Sequence, residues 1–297
     1  MTWRTNSRET TWRRVGRAHV LGGLELAHLR FDQPSLPRTL RDTWTIAVAE
    51  GAPHHVWVRG RVRRVEPGSI ILLPPNEVFG AEQIGYLAWG YRAIYPTTEQ
   101  MAVCLPGFAA GIREPTRLAQ PLVHDPVAAE ALRELHQRFV AQSMCGECSA
   151  TEADALERTL CRLIQTIVNS HSAIDGSVAK VHDAALRARA YIHEHCTSNL
   201  RVSDIAAHVG LSSYHFIRVF HEATGLPPYT YLDHVRVARA RQLLAAGFPI
   251  SEVAFLTGYS DQPHLTRHFK RAFGITPGAY CRASRGQSPS FGARSLL

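Results

Sequence analysis

Two arginines, Arg218 and Arg267, stand at equivalent positions of an internal repeat and can carry out the same chemistry. A guanidinium group presents a planar fork of N–H donors that matches paired acceptors, such as two phosphate oxygens or O6 and N7 of guanine. A bidentate contact to guanine discriminates against other bases by about 1–3 kcal/mol. We predict that both arginines contact base edges; the alternative for each is a phosphate contact or an ion pair with an acid.

The repeat that carries these arginines has the pattern of a helix-turn-helix in each copy. Val202–Phe220 returns as Ile250–Phe269, with an offset of 48 residues up to the turn and 49 beyond it. Each copy predicts a short helix, a turn at Gly210 or Gly258, and a second helix with apolar residues at i, i+3 and i+4. The predicted N-caps are Ser203, Ser212 and Ser251, and Asp261 is predicted to start the second helix of the second copy.

The outward faces of the two second helices hold the candidate DNA contacts. They are Ser213, Tyr214, Ile217, Arg218 and His221 in the first copy, and Gln262, Pro263, Thr266, Arg267 and Lys270 in the second. Glutamine is suited to adenine, and an apolar side chain to the methyl group of thymine. Because the copies differ at these positions, one chain is expected to read an asymmetric site on double-stranded DNA. A long helix over residues 228–245 would hold the second helices of the two copies about 34 Å apart.

The net charge of +8 agrees with a nucleic-acid partner, because it is concentrated where the repeat lies. Residues 182–297 hold 13 Lys and Arg against 7 Asp and Glu, whereas residues 1–181 hold 20 against 18. Basic side chains neutralise phosphates and release counterions. The chain has no apolar run long enough to cross a membrane and no apolar signal core after Met1, which predicts a cytoplasmic protein without a membrane partner.

The region before the repeat reads as strands followed by helices. Short apolar or alternating runs separated by turn residues over 22–95 predict a β-barrel or a β-sandwich; the longest run is Tyr86–Tyr95. Amphipathic patterns then predict helices over about 127–141 and 151–171. These two helices could pair with each other, with the strands, or with a second subunit.

The final hundred residues resemble the DNA-binding module of the AraC/XylS family of bacterial transcription regulators. The matching segments are Val202–Ala206, Phe216–Phe220 with Thr224-Gly225, Pro228–Leu232, Arg236–Leu244, Ile250–Ala254, Gly258–Ser260, Phe269–Gly274 and Pro277–Tyr280. Tyr259 departs from the family, which often has Phe there. The resemblance implies a sequence-specific transcription regulator, not an enzyme, that contacts RNA polymerase if it is an activator.

In that family the N-terminal domain is often cupin-like, binds a small effector and helps to form a homodimer. Val65–Glu77 and Trp89–Arg92 resemble segments of such sensor domains. The expected fold class is therefore α+β and multidomain: a cupin-like β-barrel, two helices, and an all-α double helix-turn-helix. The expected boundaries are an arm (1–20), a sensor (21–125), coupling or dimerisation helices (126–172), a linker (173–181), a DNA-binding domain (182–284) and a disordered tail (285–297).

A small-molecule pocket in the sensor is predicted from aromatic and polar residues, which typically line ligand sites. The candidates are Trp44, His54, Trp57, Glu77, Trp89, Tyr91 and Arg92; His55 is an alternative to His54. The competing interpretation is that the aromatic side chains fill the core and the charged ones face solvent. An effector-independent DNA-binding protein is the corresponding alternative function.

A metal site is not predicted, although His54-His55 near Glu66 resembles the ligand types of cupin enzymes. Adjacent residues of a strand point to opposite faces, so only one histidine can enter the interior. Phe79 also stands where a histidine might have followed Glu77. The alternative function is a cupin-type metalloenzyme with a nucleic-acid-binding tail, whereas we expect no metal or cofactor.

The six cysteines are expected to be thiols, since disulfides are rare in the cytosol. Cys145 and Cys148 have C-x-x-C spacing, which would suit a metal or a redox pair. No second pair follows at the spacing of a zinc site, so a purely structural role is the favoured interpretation.

Overall fold

The computed structural model describes residues 12–18, 20–32, 35–106, 120–145, 149–171, 180–273 and 276–284. The chain divides into two compact units, Met1–Ala179 and Lys180–Leu297. Four predictions concern residues outside the described ones: the start of the arm (1–11), the C-x-x-C segment beyond Cys145, most of the linker, and the tail from 285 onward.

The first unit is built on two antiparallel sheets. Its strands are β1 (Trp12–Ala18), β2 (Leu24–Phe31), β3 (Ser35–Thr39), β4 (Thr45–Gly51), β5 (His54–Val58), β6 (Arg61–Val65), β7 (Ile70–Leu73), β8 (Phe79–Gln83), β9 (Trp89–Tyr95) and β10 (Leu122–Val123). The larger sheet has the order β1-β2-β9-β4-β7-β10, and the smaller has β3-β8-β5-β6. This is the N-terminal β-domain expected from the cupin-like resemblance.

Local sequence explains the β5–β6 hairpin. Val58 pairs with Arg61, which leaves a two-residue loop. Both loop residues have positive φ, 51° at Arg59 and 72° at Gly60. Such turns match the twist of the strands that they join.

The described part of the first unit also contains helices α1 (Thr98–Cys104), α2 (Pro126–Cys145) and α3 (Ala150–His171). Leu24 and Leu26 of β2 pack in one hydrophobic cluster with Leu132 of α2 and Leu160 of α3. Ala27 and other residues of β2 belong to a second cluster that includes side chains from both sheets. The larger sheet is thus buried on both faces, against helices on one side and the smaller sheet on the other.

Two predictions for this unit need correction. Residues 12–18, assigned to a flexible arm, form β1, which pairs along its whole length with β2. The aromatic run from Tyr86 starts as a strand only at Trp89, and Tyr86 itself is fully exposed in a turn. The prediction missed β1 because this edge strand is rich in arginine and has only a weak apolar pattern. Its pairing with β2 comes from backbone hydrogen bonds, which do not require apolar side chains.

The second unit is helical, as expected for a double helix-turn-helix. Its helices are α4 (Lys180–His195), α5 (Val202–His208), α6 (Ser213–Thr224), α7 (Pro228–Ala245), α8 (Ile250–Leu256), α9 (Gln262–Phe273) and α10 (Pro277–Ser284). The start of α4 includes two residues assigned to the linker. Tyr231 of α7 stacks edge-on with Phe220 of α6 at 5.3 Å. Further along α7, Val237 and Leu244 pack with Phe269 of α9. One helix therefore contributes to the cores of both copies of the repeat.

The N-cap prediction is confirmed at Ser212 and wrong at Ser203 and Ser251, whereas Asp261, predicted as the start of its helix, caps that helix from just before it. The backbone N–H of His215 donates to Ser212 Oγ at 3.4 Å, and that of His264 donates to Asp261 Oδ1 at 2.6 Å. Helices α5 and α8 begin two residues earlier than a cap at Ser203 or Ser251 would allow, because Arg201 and Pro249 occupy the N-cap positions.

Candidate DNA-binding surface and sensor interior

The two copies of the repeat make the same turn with the same hydrogen bonds. Gly210 and Gly258 have φ of 74° and 80°, a conformation that favours glycine. The N–H after each glycine, of Leu211 or Tyr259, donates at 2.9 Å to Ala206 or Ala254 respectively. The insertion follows this point, so the second helix of each copy, α6 or α9, starts from an equivalent turn; we call these two the recognition helices.

Helix α6 of the first copy separates an apolar face from an exposed face. Phe216, Val219 and Phe220 are buried. The predicted contacts of this copy are all exposed: Ser213, Tyr214, Ile217, Arg218 and His221. Tyr214 is 84% exposed, which leaves a large aromatic side chain without a core to pack in.

Helix α9 of the second copy has the same division. Leu265 and Phe269 are buried. Among its predicted contacts, Gln262, Pro263, Arg267 and Lys270 are exposed, whereas Thr266 is half-buried. The Thr266 hydroxyl donates to the carbonyl of Gln262 at 2.8 Å, so its hydrogen is engaged within the helix.

Arg218 and Arg267 lie on these exposed faces at corresponding positions. Within the described parts of the chain, neither guanidinium group takes part in a salt bridge. Each arginine is therefore available to an outside acceptor. The charge of Arg267 does contribute, after hydrogen bonds from His264 and Ser260, to a lowered pKa of the exposed Asp261 carboxyl.

A third arginine, Arg236 on α7, lies against both the residues that follow α4 and the turn of the second copy. Its side chain donates to the carbonyls of Cys196 and Ser198 at 2.7 and 2.8 Å, just after α4. A Cβ atom added at Gly258 would lie 3.1 Å from the same guanidinium group. The residues that follow α4 and the turn of the second copy thus meet at one side chain, which sequence reasoning did not single out.

The space between the two sheets of the sensor holds three of the predicted effector residues. His54 and Tyr91 are buried, and their rings lie 5.2 Å apart, edge to face. Trp89 stacks on His54 at 4.8 Å. Phe31 packs on Trp89 at 4.6 Å from the neighbouring strand. These residues form an aromatic group inside the domain.

Two polar atoms in this interior have no hydrogen-bond partner among the described residues: His54 Nε2 and the Tyr91 hydroxyl. Burial lowers the pKa of His54 to about 4, opposed by a hydrogen bond between its Nδ1 and the Ala52 carbonyl. Burial also raises the pKa of Tyr91 well above its usual range. Both side chains are therefore uncharged near neutral pH, and each can exchange a hydrogen bond with a bound molecule.

The other four predicted effector residues do not share this interior. Trp44 packs in the cluster on the helix side of the larger sheet. Trp57 is half-buried, with the guanidinium carbon of Arg38 4.3 Å from its ring centre. Glu77 is paired with Arg59 Nε at 3.4 Å.

Arg92 is the fourth of these residues, and it lies on the helix side as part of an ionic cluster. Its Nε and the Nε2 atom of His28 contact the two oxygens of Glu50, at 2.6 and 2.9 Å. Arg133 of α2 reaches the same carboxylate at 3.4 Å. Burial alone would raise the pKa of Glu50, but hydrogen bonds from His28 and Arg92 lower it to about 2. The carboxylate therefore links strands β2, β4 and β9 to a helix.

The histidine pair does not form the start of a metal site in the described residues. His54 is fully buried, whereas His55 lies on the other face of the strand and is half-buried. No group of three or more His, Cys, Asp and Glu side chains is placed to hold a metal ion in the described part of the chain.

The expectation that all cysteines are thiols is wrong for one pair. Cys104 of α1 and Cys161 of α3 form a disulfide across 57 residues of sequence. Cys196 and Cys281 are thiols. The partners are far apart in sequence and come together only because both helices pack on the same sheet face.

Each of the two units matches a known domain family. The AraC-like ligand binding domain matches residues 21–161, and a helix-turn-helix domain matches residues 205–283. The chain is 25% identical over 231 residues to the uncharacterized HTH-type transcriptional regulator YbfI of Bacillus subtilis (strain 168), covering 77% of this chain and 81% of YbfI. It is 32% identical over 101 residues to the regulatory protein PocR of Salmonella typhimurium, covering 33% of each chain.

A solved structure shares the fold. The crystal structure of ToxT from Vibrio cholerae O395 aligns with a TM-score of 0.50 at 14% identity, over 93% of this chain and 99% of ToxT. Together these similarities define a two-domain transcription regulator with a ligand-binding domain and a helix-turn-helix DNA-binding domain. The chain belongs to the AraC family. None of the described helices is both long and apolar enough to cross a membrane.

Proposed function

We propose that one chain reads two successive major-groove segments of DNA with α6 and α9, and that Arg218 and Arg267 supply the principal base contacts. The observation that carries this proposal is the equivalence of the two turns together with the exposure of both arginines. The remaining predicted residues on the two helices serve as phosphate contacts or as further base contacts.

The experiment is the selection of bound DNA from a random pool, followed by affinity measurements on the arginine variants. The wild-type chain is expected to select an asymmetric site with two blocks about one helical turn apart. Arg218→Ala should relax one block and Arg267→Ala the other, each costing about 1–3 kcal/mol at the contacted base. Non-specific binding should fall much less.

Arg218→Lys and Arg267→Lys are the matched controls. Lysine keeps the positive charge but lacks the planar fork, so these variants should retain phosphate attraction and still lose base discrimination. A lysine variant that reads its block as well as the wild type would mean that the arginine contacts phosphate instead.

For the sensor, we propose that the effector lies between the two sheets and exchanges hydrogen bonds with His54 Nε2 and the Tyr91 hydroxyl. Buried polar atoms normally have partners, so two neighbouring unpartnered atoms favour a site completed by another molecule. Trp89 would provide an aromatic surface for the apolar part of that molecule.

Coupling to the DNA-binding unit would begin in strands β4 and β9, which carry side chains on both faces of the larger sheet. Tyr91 points to the interior, and the next residue, Arg92, contacts Glu50 on the helix side. Arg133 connects that carboxylate to α2. A shift of β9 on ligand binding would therefore be transmitted to a helix of the segment 126–172, which we propose couples the units or forms a homodimer.

We further propose a cytoplasmic protein without enzymatic activity that contacts RNA polymerase if it activates transcription. The family assignment supports regulation over catalysis. The metalloenzyme alternative requires a stoichiometric metal in the purified protein, which elemental analysis would detect.

A further inference from the structure

The two recognition helices are held to α7 by different kinds of contact. In the second copy, the Tyr259 hydroxyl donates to Asp233 Oδ1 at 2.9 Å. The Nδ1 atom of His268 lies 2.6 Å from the same oxygen. One carboxylate on α7 thus contacts both the turn of the second helix-turn-helix and its recognition helix.

The first copy has apolar residues at the corresponding positions. Leu211 corresponds to Tyr259 and Val219 to His268. Val219 is 7% exposed and packs in the core, as its apolar side chain requires. The polar arrangement of the second copy is therefore not a general requirement of the helix-turn-helix fold.

The three side chains of this contact are mostly removed from solvent. Tyr259 is 4% exposed, and its aromatic ring also packs in the apolar core of the second copy. The side chains of His268 and Asp233 are 16% and 21% exposed. A hydroxyl in such a place needs an acceptor, and Asp233 provides one at a fixed point of α7. The ring of His264 lies 5.1 Å from Tyr259 and 4.8 Å from His268, which limits the freedom of both.

The contact of Asp233 with His268 lies next to Arg267, the residue predicted to contact a base in this copy. His268 follows Arg267 directly in α9, so a rotation or a shift of α9 that broke the contact would also move the arginine. Base reading needs side-chain placement within a fraction of an ångström, whereas phosphate attraction does not.

We infer that Asp233 is a positioning residue for the second recognition helix, so that base discrimination by α9, and not by α6, depends on its contacts with Tyr259 and His268. This inference rests on the proposed function, in which α6 and α9 read separate blocks. Base discrimination by α9 could then change by substitution while base discrimination by α6 stays the same.

The test measures the affinity of the full chain for DNA sites with single-base changes in each block. Asp233→Ala should lower discrimination in the second block roughly tenfold, the scale of one lost base contact, and leave the first block unchanged. The first block is an internal control, since general loss of folded protein would affect both blocks equally.

Two milder variants keep the test decisive if Asp233→Ala does not fold. Tyr259→Phe removes the hydroxyl alone, and His268→Val installs the residue type of the first copy. Each should reduce discrimination selectively in the second block. In the His268→Val background, Asp233→Ala should have a smaller effect than in the wild type, because part of its contact is already absent.

The outcomes separate this inference from the function on which it rests. Equal losses in both blocks, or an unchanged second block, would overturn the role of Asp233 while the two-block mechanism stands. If the wild-type chain selects no second block, the proposed function fails and this inference fails with it.

Discussion

At the scale of single residues, the hydroxyl of Tyr91 stands out because the described fold gives it no partner. An unsatisfied buried hydroxyl costs about 1–3 kcal/mol. We expect Tyr91→Phe to leave the unliganded sensor as stable as the wild type or to stabilise it by up to about 2 kcal/mol. Urea unfolding followed by tryptophan fluorescence would measure this in the full chain, because all five tryptophans precede residue 90 and report on the first unit.

Tyr259→Phe is the matched control, because it removes a hydroxyl that does have an acceptor in Asp233. It should destabilise the second unit by about 1 kcal/mol, measured by far-UV circular dichroism. A clear loss of stability in Tyr91→Phe would show that the fold itself uses this hydroxyl, against an effector contact.

The buried His136 gives the sensor a specific dependence on pH. Its Nε2 contacts the Ala27 carbonyl at 3.0 Å, and burial, reinforced by the charge of Arg92, lowers its pKa from 6.5 to about 4. Between these two values the unfolded chain binds more protons than the folded chain, so the free energy of unfolding falls as pH decreases through that window. The full loss is about 3 kcal/mol.

Replacement by a side chain that does not titrate should remove this part of the pH dependence. His136→Gln keeps a hydrogen-bond donor near the Ala27 carbonyl, so its free energy of unfolding should vary less between the two pKa values of His136, 6.5 and about 4, than that of the wild type. His55→Gln, at a half-buried position, is the comparison variant. The free energy of unfolding would be measured at several pH values by urea unfolding followed by tryptophan fluorescence. If it changed with pH equally in the wild type and in His136→Gln, the prediction would be contradicted.

At the scale of elements, the two turn glycines share a backbone conformation but have different surroundings. Alanine at Gly210 would meet nothing within 4 Å, whereas at Gly258 its Cβ would lie 3.0 Å from the Thr197 carbonyl and 3.1 Å from Arg236. Both substitutions incur the cost of a left-handed conformation, about 1–2 kcal/mol. Gly258→Ala should cost about 1–3 kcal/mol more, because it also crowds its neighbours.

Far-UV circular dichroism during unfolding would compare the two variants, with tryptophan fluorescence identifying the transition of the first unit. Gly258→Ala should also disturb DNA binding more than Gly210→Ala, since Arg236 joins the second turn to the residues after α4. Equal destabilisation of the two variants would mean that the crowding at Gly258 is relieved without cost.

At the scale of the whole molecule, the continuous helix α7 contributes to the cores of both helix-turn-helix copies. Because α7 packs with Phe220 at one end and with Phe269 further along, the two copies are expected to keep a fixed separation and rotation. Inserting about 5 base pairs between the two blocks of the selected site turns one block by about half a helical turn. Binding should then fall to the level of a site with a single block.

An insertion of about 10 base pairs restores the rotation but not the distance. We expect it to remain weak, and competition assays on the three sites would measure the difference. Full recovery with the longer insertion would indicate that the two copies move independently or that two chains occupy the blocks.

Local patterns are sufficient to predict the helical unit. A helix is defined by residues three and four apart, and a turn glycine by its own backbone. The sequence therefore predicts the long helix over residues 228–245 and the turns at Gly210 and Gly258, where the structure has them. The division of α6 and α9 into buried and exposed faces follows from the same periodicity. That periodicity is also enough to place Arg218 and Arg267 on the exposed faces, where both are found.

The sensor interior is only partly predictable, because β9 is buried on both faces and its apolar pattern does not distinguish one face from the other. Which face meets the smaller sheet and which meets the helices is decided by how the layers stack. That stacking places Tyr91 inside and Arg92 against Glu50.

The sequence by itself determined a double helix-turn-helix with two equivalent arginines, since the necessary information lies within each repeat. The tertiary structure alone decided the Cys104–Cys161 pairing and the shared contacts of Asp233 with Tyr259 and His268. These partners are separated by 26 residues or more along the chain. Contacts over such distances depend on the packing of whole elements, which no local pattern encodes.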